Sequence, residues 1–411
     1  MISGSQGQDA MGATPTLKSS RGALRDRNFF PYFVGNLLSS SGTWFHNIAQ
    51  TLLVYRLTGS LFLVGLVNMA QFIGVFLLGA SAGVVADRYD RRKVLLATQV
   101  VSAAISALLA ICVALDYSSV AIVMVAALAL GIAQTYSTPA MLAMVPQLVS
   151  PENLGPAVAI NIVALNVARA VGPVIGAFIV SRFGIAAAFG LNSLSFLVFA
   201  VSLLVIKTRA SGIKTIGLKI RIMDTARSLK TRPQIGVLFV VGTCASMAID
   251  PVTTLTPGFA TEVFHRSDTV VGWLVGSFGL GAVTAGIWIS RLPIASYALL
   301  SKRMALLNLS LLVFGFSSSF YLSVIALFFA GFAFISTSAA ALTRVQVFSN
   351  ADEHGRLMAL WGMAFMGSRP VASLIDGAVA TATNVHIATL LMIAPAILGT
   401  ILLNRSARKS I

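Results

Sequence analysis

Charge is scarce in this 411-residue chain: Asp, Glu, Lys and Arg make up 10% of it, against 57% apolar residues and a mean hydropathy of +0.87. That balance excludes an ordinary soluble domain, in which roughly a quarter of the residues are charged. Cysteine is nearly absent. The two present, Cys112 and Cys244, lie inside apolar runs, so they form neither a secreted disulfide framework nor a metal-ligand spacing and read as buried structural thiols. No Gly-rich loop ending in Lys and Ser or Thr occurs, which removes a P-loop nucleotide as the energy source. Nothing implies a cofactor, a metal or an enzyme. Residues 1–28 lack an apolar core, so they are not a signal peptide and read as a disordered tail.

What the chain has in abundance is long apolar runs. Stretches of about 20 residues or more, enough to cross a bilayer at roughly 1.5 Å per residue, recur throughout. Twelve are counted: about 29–56, 61–86, 94–115, 119–146, 153–181, 184–206, 235–261, 269–290, 298–318, 321–347, 356–382 and 385–404. An open sheet leaves backbone groups unbonded in lipid, so these are helices. The expected fold is an all-α polytopic membrane protein with twelve transmembrane helices in two six-helix bundles. The bundles span 29–206 and 235–405, joined by a basic loop at 207–234 and followed by a short tail at 406–411. Internal similarity supports the doubling. A shift of 200 lays Gly155 on Gly355, Ala164 on Ala364 and Arg169 on Arg369; a shift of 207 lays Gly65 on Gly272 and Gly74 on Gly281.

The net charge of +16 invites a nucleic-acid reading, but the positions of the charges refuse it. Of 29 basic residues, 23 fall on one side of the predicted topology and only Arg56, Arg182 and Arg266 in loops on the other. The remaining three, Arg169, Arg344 and Arg369, fall within spans. Such asymmetry puts both termini in the cytoplasm of a multi-pass protein of the plasma or bacterial inner membrane. The basic excess then faces anionic lipid head groups, not nucleic acid.

Between the second and third stretches runs Gly83-Val-Val-Ala-Asp-Arg-Tyr-Asp-Arg-Arg-Lys93, a charged hairpin wedged between two membrane-length helices. In Gly83, Asp87, Arg88, Arg91 and Arg92 this hairpin resembles the loop between the second and third helices of the major facilitator superfamily. Asp90 stands where that pattern has Gly, and the corresponding loop of the second half, around Ser290 to Ser301, has Arg291 but no acid. The run Arg169-Ala-Val-Gly172-Pro173-Val-Ile-Gly176 is similar to the Gly-Pro-x-x-Gly pattern of superfamily antiporters, with Ala177 in place of the last Gly. Physically it permits close helix approach at Gly172 and Gly176 and a bend at Pro173. The family's fourth-helix Arg is missing; the segment carries Gln134. Pro151-Glu-Asn-Leu154 and His354-Gly-Arg-Leu-Met-Ala-Leu-Trp361 resemble the enterobactin-exporter-like and drug-efflux-like branch. The resemblance covers about residues 29–405. It implies the major facilitator fold and transport by alternating access. Asp87 and Arg91 are then expected to bond the facing cytoplasmic helix ends and hold the halves together in the outward-open state, the alternative being that the cluster only enforces topology.

Ionisable groups inside a membrane cost roughly 2.5–3.5 kcal/mol each on insertion scales and so face protein or a water-filled cavity. Asp250 lies about 15 residues into the seventh stretch and precedes Pro251, which disfavours helix at the residue before it. An acid at a midplane break suits a proton or a cationic substrate, or a static salt bridge to Arg169 or Arg369. Asp376 falls two turns beyond Arg369, nearer the outer face, where a local pair or a water-exposed acid fits better than a proton carrier. His46 joins these as a titratable candidate, with a structural role as its alternative. Arg344, near a helix end, reads as snorkelling.

Polar side chains recur at helical spacing: Asn36, Ser40, Thr43, Asn47 and Gln50 in the first stretch; Thr243, Met247, Asp250 and Thr254 in the seventh; Trp361, Phe365, Ser368 and Asp376 in the eleventh. They line a central cavity or make polar contacts within each bundle. The expected function is a monomeric, proton-driven exporter of an amphipathic drug-like compound, secondary metabolite or siderophore. The alternatives are an importer or facilitator on the same fold, and a non-transporting membrane sensor or assembly protein.

Overall fold

The computed structural model describes residues 22, 24–207, 227, 229, 232–267, 269–289, 295–349 and 351–409. The tail 1–28 and the loop 207–234 therefore fall largely outside the described residues, as do the side chains of Asp87 and Arg169.

The helices follow the twelve apolar stretches. α1 is Phe29–Thr58, α2 Leu61–Arg88, α3 Arg91–Ala114 and α4 Val120–Leu148. The run Leu154–Val205 is one helix in name only. Gly184 breaks it with φ 84° and ψ 172°, and the limbs before and after are α5 and α6. α7 begins at Pro233–Ala248 and continues, broken, through Pro251–Thr254, Thr256–Gly258 and a π-turn at Phe259–Val263. α8 is Thr269–Ile289, α9 Tyr297–Phe316 and α10 Phe320–Phe348. α11 runs Ala351–Gly367 and Arg369–Ala382, interrupted at Ser368; α12 runs Val385–Leu391 and Ile393–Lys409.

Helix starts are closed locally, as lipid requires. Ser60, Asp90, Ser119, Ser296 and Asn384 each accept a backbone N–H of the first turn. The Asp90 side chain takes the N–H groups of Arg92 and Lys93 at 2.9 and 3.3 Å, which explains an acid where the superfamily pattern has Gly. Among the described residues nine helical stretches are long and apolar enough to cross a membrane. Neither α1 nor α11, the helices richest in the predicted polar positions, is among them. Large apolar side chains such as Leu77, Val125, Trp273 and Phe316 face outward, the arrangement of a lipid-facing surface.

The internal repeat holds at the level of atoms. A Cβ on Gly131 would collide with the Gln71 carbonyl, and a Cβ on Gly331 with the Phe278 carbonyl. The same pairing recurs where the halves meet: Gly65 of α2 lies against the Ser373 carbonyl of α11, and Gly272 of α8 against the Pro173 carbonyl and Ala177 of α5. Each pair maps onto its twin by the shifts of 200 and 207 read from the sequence.

These two seams lie at the end of the molecule away from the Tyr89–Asp90 hairpin. One hydrophobic core runs through that end from Phe45, Leu52 and Val64 into Phe259, Val271 and Leu327 of the second half. At the hairpin end the first half keeps a core of its own, built on Phe29, Tyr32, Leu95, Met144 and Phe199. The halves are thus joined at one end and separately packed at the other.

Candidate functional site

Between the halves, at the level where α7 and α11 break, lie two small adjoining cavities of about 30 and 20 Å³. Trp44, Thr253, Val275 and Arg369 line both. The larger is walled by Phe278, Phe334, Phe365 and Met366, the smaller by Asn47, Asn68, Gln71 and Phe72. Their lining has the character of a small-molecule site, mostly apolar walls with a few placed polar groups. The aromatic wall is ordered: Phe334 stacks on Phe365 at 5.8 Å, and Phe365 on Trp361 at 6.1 Å.

Arg369 is the charged side chain of this surface. It begins the second segment of α11, 7% exposed, with its guanidinium 5.0 Å over the Phe72 ring. Its Nε is 3.7 Å from Asp250 Oδ1, and it donates to Thr253 Oγ1 at 3.4 Å. The salt bridge read as one alternative for Asp250 is therefore present, with Arg369 as partner. Asp250 itself is fully buried behind the wall, its Oδ2 accepting from Thr254 Oγ1 at 2.7 Å and Ser373 Oγ at 2.8 Å. Asn68, on α2 of the other half, donates to that Thr254 hydroxyl at 3.2 Å. One hydrogen-bonded chain thus crosses from half to half.

The first-helix stripe divides along its length. Asn47 accepts from Gln71 at 2.9 Å, and Gln50 donates to the same Gln71 at 2.9 Å, forming part of the cavity's polar rim. Asn36 and Ser40 turn inward instead, Asn36 donating to Asn161 at 2.8 Å, while Thr43 bonds the Ser39 carbonyl. His46 is buried against the Phe189 ring at 4.6 Å, and among the described residues neither ring nitrogen has a hydrogen-bond partner. Phe365 reaches the cavity and Ser368 bonds the Phe365 carbonyl at the break in α11. Trp361 sits one layer behind, edge-on to Phe239. Thr243 and Met247 line neither cavity, and Gln134 is exposed, bonded to Thr138. Asp376 departs from its expected place near water: it is fully buried.

Gly172 and Gly176 pack on α1, where a Cβ would meet the Cβ of Trp44 at 2.6 Å and of Phe45 at 2.5 Å. The antiporter-like motif thus presses cavity residue Trp44 into position on one face and meets Gly272 of the other half through Pro173 and Ala177. In the hairpin, Arg91 donates to the Ala86 and Ala143 carbonyls and Arg92 to those of Leu203 and Leu204. Both arginines cap helix ends of their own half here. Arg344 is tied down by the Ala295 carbonyl at 2.7 Å and stacks over Tyr297.

Sequence reasoning missed Trp44, Asn68, Gln71 and Ser373. A signal existed for three of them. Asn68 and Gln71 are the polar interruptions of the apolar run Leu61–Gly79, and Ser373 lies one turn from both Arg369 and Asp376.

The profile of a family described as transmembrane secretion effector matches residues 18–409. The chain belongs to that family. This secretion-effector chain is 21% identical over 371 residues to macrolide efflux protein A of Streptococcus pyogenes, covering 87% of its own length and 90% of the relative. It is 26% identical over 391 residues to the enterobactin exporter EntS of Escherichia coli O1:K1 / APEC, covering 91% of each. Among solved structures, a bacterial homolog of the human lysosomal transporter Spinster, in an inward-facing and occupied conformation, superposes with a TM-score of 0.75 at 11% identity, over 92% of this chain and 96% of that one. The nucleoside transporter NupG superposes with a TM-score of 0.72 at 12% identity, over 92% and 99%. The fold is that of the major facilitator superfamily, and the chain is a membrane transporter of a small molecule, not an enzyme.

Proposed function

We propose that this secretion-effector chain is a proton-driven exporter of bulky amphipathic compounds, working by alternating access around the Trp44–Arg369 cavity. The observation that carries the reading is the lining between the halves: aromatic walls meeting there, with one cation on their surface and a buried acid behind it. The efflux proteins to which the chain is similar, one for macrolides and one for enterobactin, support outward transport. Aromatic walls with few polar groups favour a drug-like compound, secondary metabolite or siderophore over a sugar. The basic loops put the hairpin end in the cytoplasm, so the seams at Gly65 and Gly272 close the outer end and the cavity belongs to the inward-facing half of the cycle. When the seams part, the hairpin of Asp87 and Arg91 becomes the latch between the cytoplasmic ends, trading contacts within one half for charge-assisted bonds to the other.

Moving one charge down a potential of 100 mV is worth about 2.3 kcal/mol, enough to concentrate a substrate roughly fiftyfold. The test is purified full-length protein in liposomes containing a pH-sensitive dye, with a macrolide and enterobactin as probes. Proton movement evoked by a probe under an imposed pH gradient supports the exporter. Probe movement indifferent to the gradient would leave a facilitator on the same fold.

A further inference from the structure

A groove of about 510 Å³, many times either cavity between the halves, runs along the first half at the hairpin end, walled by α2, α3 and α4. Val94, Ala97 and Val101 lie on one face of α3, and Ala129, Ala133 and Tyr136 on one face of α4. Small side chains on both faces leave the space between the helices unfilled. The Tyr136 hydroxyl, the polar atom of that wall, is bonded to Ser81 Oγ of α2 at 3.0 Å, so the trough presents apolar surface. Ala97 and Val101 are exposed, and the groove therefore opens outward, to the surrounding membrane, and not into the transport site.

Its mouth is polar and is formed by Tyr89, Asp90 and Lys93. Asp90 turns its carboxylate to the Arg92 and Lys93 N–H groups, while Arg91 and Arg92 are held by carbonyls of their own half. Lys93 is exposed, and among the described residues its ammonium meets no acid. From Lys93 to Val101 is about 12 Å along α3, most of the roughly 15 Å of hydrocarbon in one leaflet. The Tyr89 ring, 65% exposed, stands beside the cation, as aromatic side chains do where hydrocarbon meets head groups.

We infer that this groove binds one phospholipid of net negative charge, with an acyl chain laid between α3 and α4 and its phosphate at Lys93. An apolar trough offers water no hydrogen-bond partners, whereas an acyl chain gains by covering it. The head group decides the class. A zwitterionic lipid brings its own cation toward Lys93, and an anionic one does not; a basic residue at a membrane surface favours anionic lipid about fivefold. Val85 and Tyr89 of α2 share the groove with Val94 of α3, so the bound chain packs against both limbs of the hairpin. The site is independent of the exporter reading.

The test uses full-length protein with Val101→Trp at the deep end of the groove, in a Trp273→Phe/Trp288→Phe background. It is reconstituted in phosphatidylcholine vesicles containing brominated phosphatidylglycerol or brominated phosphatidylcholine, and quenching of the new indole reads which lipid occupies the groove. Trp288, exposed at the end of α8 in the same leaflet, is the reference in a Trp273→Phe protein. Phosphatidylglycerol should win about fivefold at Val101→Trp and show no such advantage at Trp288. Lys93→Gln should remove the advantage and Lys93→Arg should keep it. Ala97→Phe fills the groove and leaves every charge in place; it should lower quenching by both lipids and remove the advantage. Equal quenching by the two lipids at Val101→Trp, the same advantage at Trp288, or an Ala97→Phe protein that keeps the advantage overturns the inference, because the lipid is then only general boundary lipid. An advantage erased by millimolar inorganic phosphate gives Lys93 to a free anion, and quenching relieved by a macrolide gives the groove to cargo. Either result overturns the lipid as occupant. None of these readouts needs transport, so they fail or hold separately from the exporter.

Discussion

At the scale of single residues, the chain spends its few charges where a partner or a cap is ready. Asp90 is the plainest case, because its role is local and its cost can be stated. Asp90→Ala should destabilise by about 1 kcal/mol and Asp90→Gly by only a few tenths, since Gly is itself tolerated at an N-cap; thermal unfolding in detergent reads the difference. Arg369 is the opposite case. Arg369→Gln leaves Asp250 buried without its cation, a loss of about 3–5 kcal/mol where such pairs are fully desolvated, and Arg369→Lys should recover part of it. The measurement is the unfolding temperature together with probe uptake. His46 makes no hydrogen bond among the described residues, so replacing it by an apolar residue removes an unmet polar group at little cost. His46→Leu should unfold no earlier than the parent and transport normally; a loss of proton coupling in that variant would return His46 to the mechanism.

At the scale of elements, the joints are made of backbone. Gly65 and Gly272 let helices of opposite halves meet at carbonyl distance, and a side chain there has nowhere to go. Gly65→Leu should prise open the seam between α2 and α11, raising thiol labelling of a cysteine placed at Thr381 several-fold while leaving insertion intact. How much of this was legible in the sequence depends on whether a signal is local. The helix starts at Ser60, Asp90 and Ser119 and the break at Pro251 can be read from neighbours in the chain. The repeat shifts were legible too, and they turn out to name real contacts. That Asn36 faces Asn161 whereas Asn47 faces the cavity was not legible, because both sit on one stripe and only the packing of α5 and α2 separates them. Asp376 was misplaced for the same reason. Its distance along α11 says nothing of the packing that buries it.

At the scale of the whole molecule, halves joined at one end and separately packed at the other imply a cycle in which the joined end parts. The backbone N–H of Phe62 bonds Thr381 Oγ1 at 3.1 Å across the seam, so Phe62→Cys with Thr381→Cys should cross-link on oxidation and stop transport, and reduction should restore it. Retained transport in the cross-linked protein would place the moving joint elsewhere. The composition revealed the twelve helices and the doubling, because lipid leaves a chain few alternatives. It was silent on which end is closed, since open and closed states expose the same residues to lipid and differ only across the seam.

Trp44, wedged onto Gly172 and lining both cavities, has an optical consequence. Trp273 and Trp288 lie on the outer surface and Trp361 is a layer behind the wall, so the indole in direct reach of cargo is Trp44. A bound aromatic molecule should quench that emission and shift its colour. With Trp273→Phe and Trp288→Phe silencing the surface background, the protein carries its own fluorescent gauge of occupancy, usable before any cargo has been labelled.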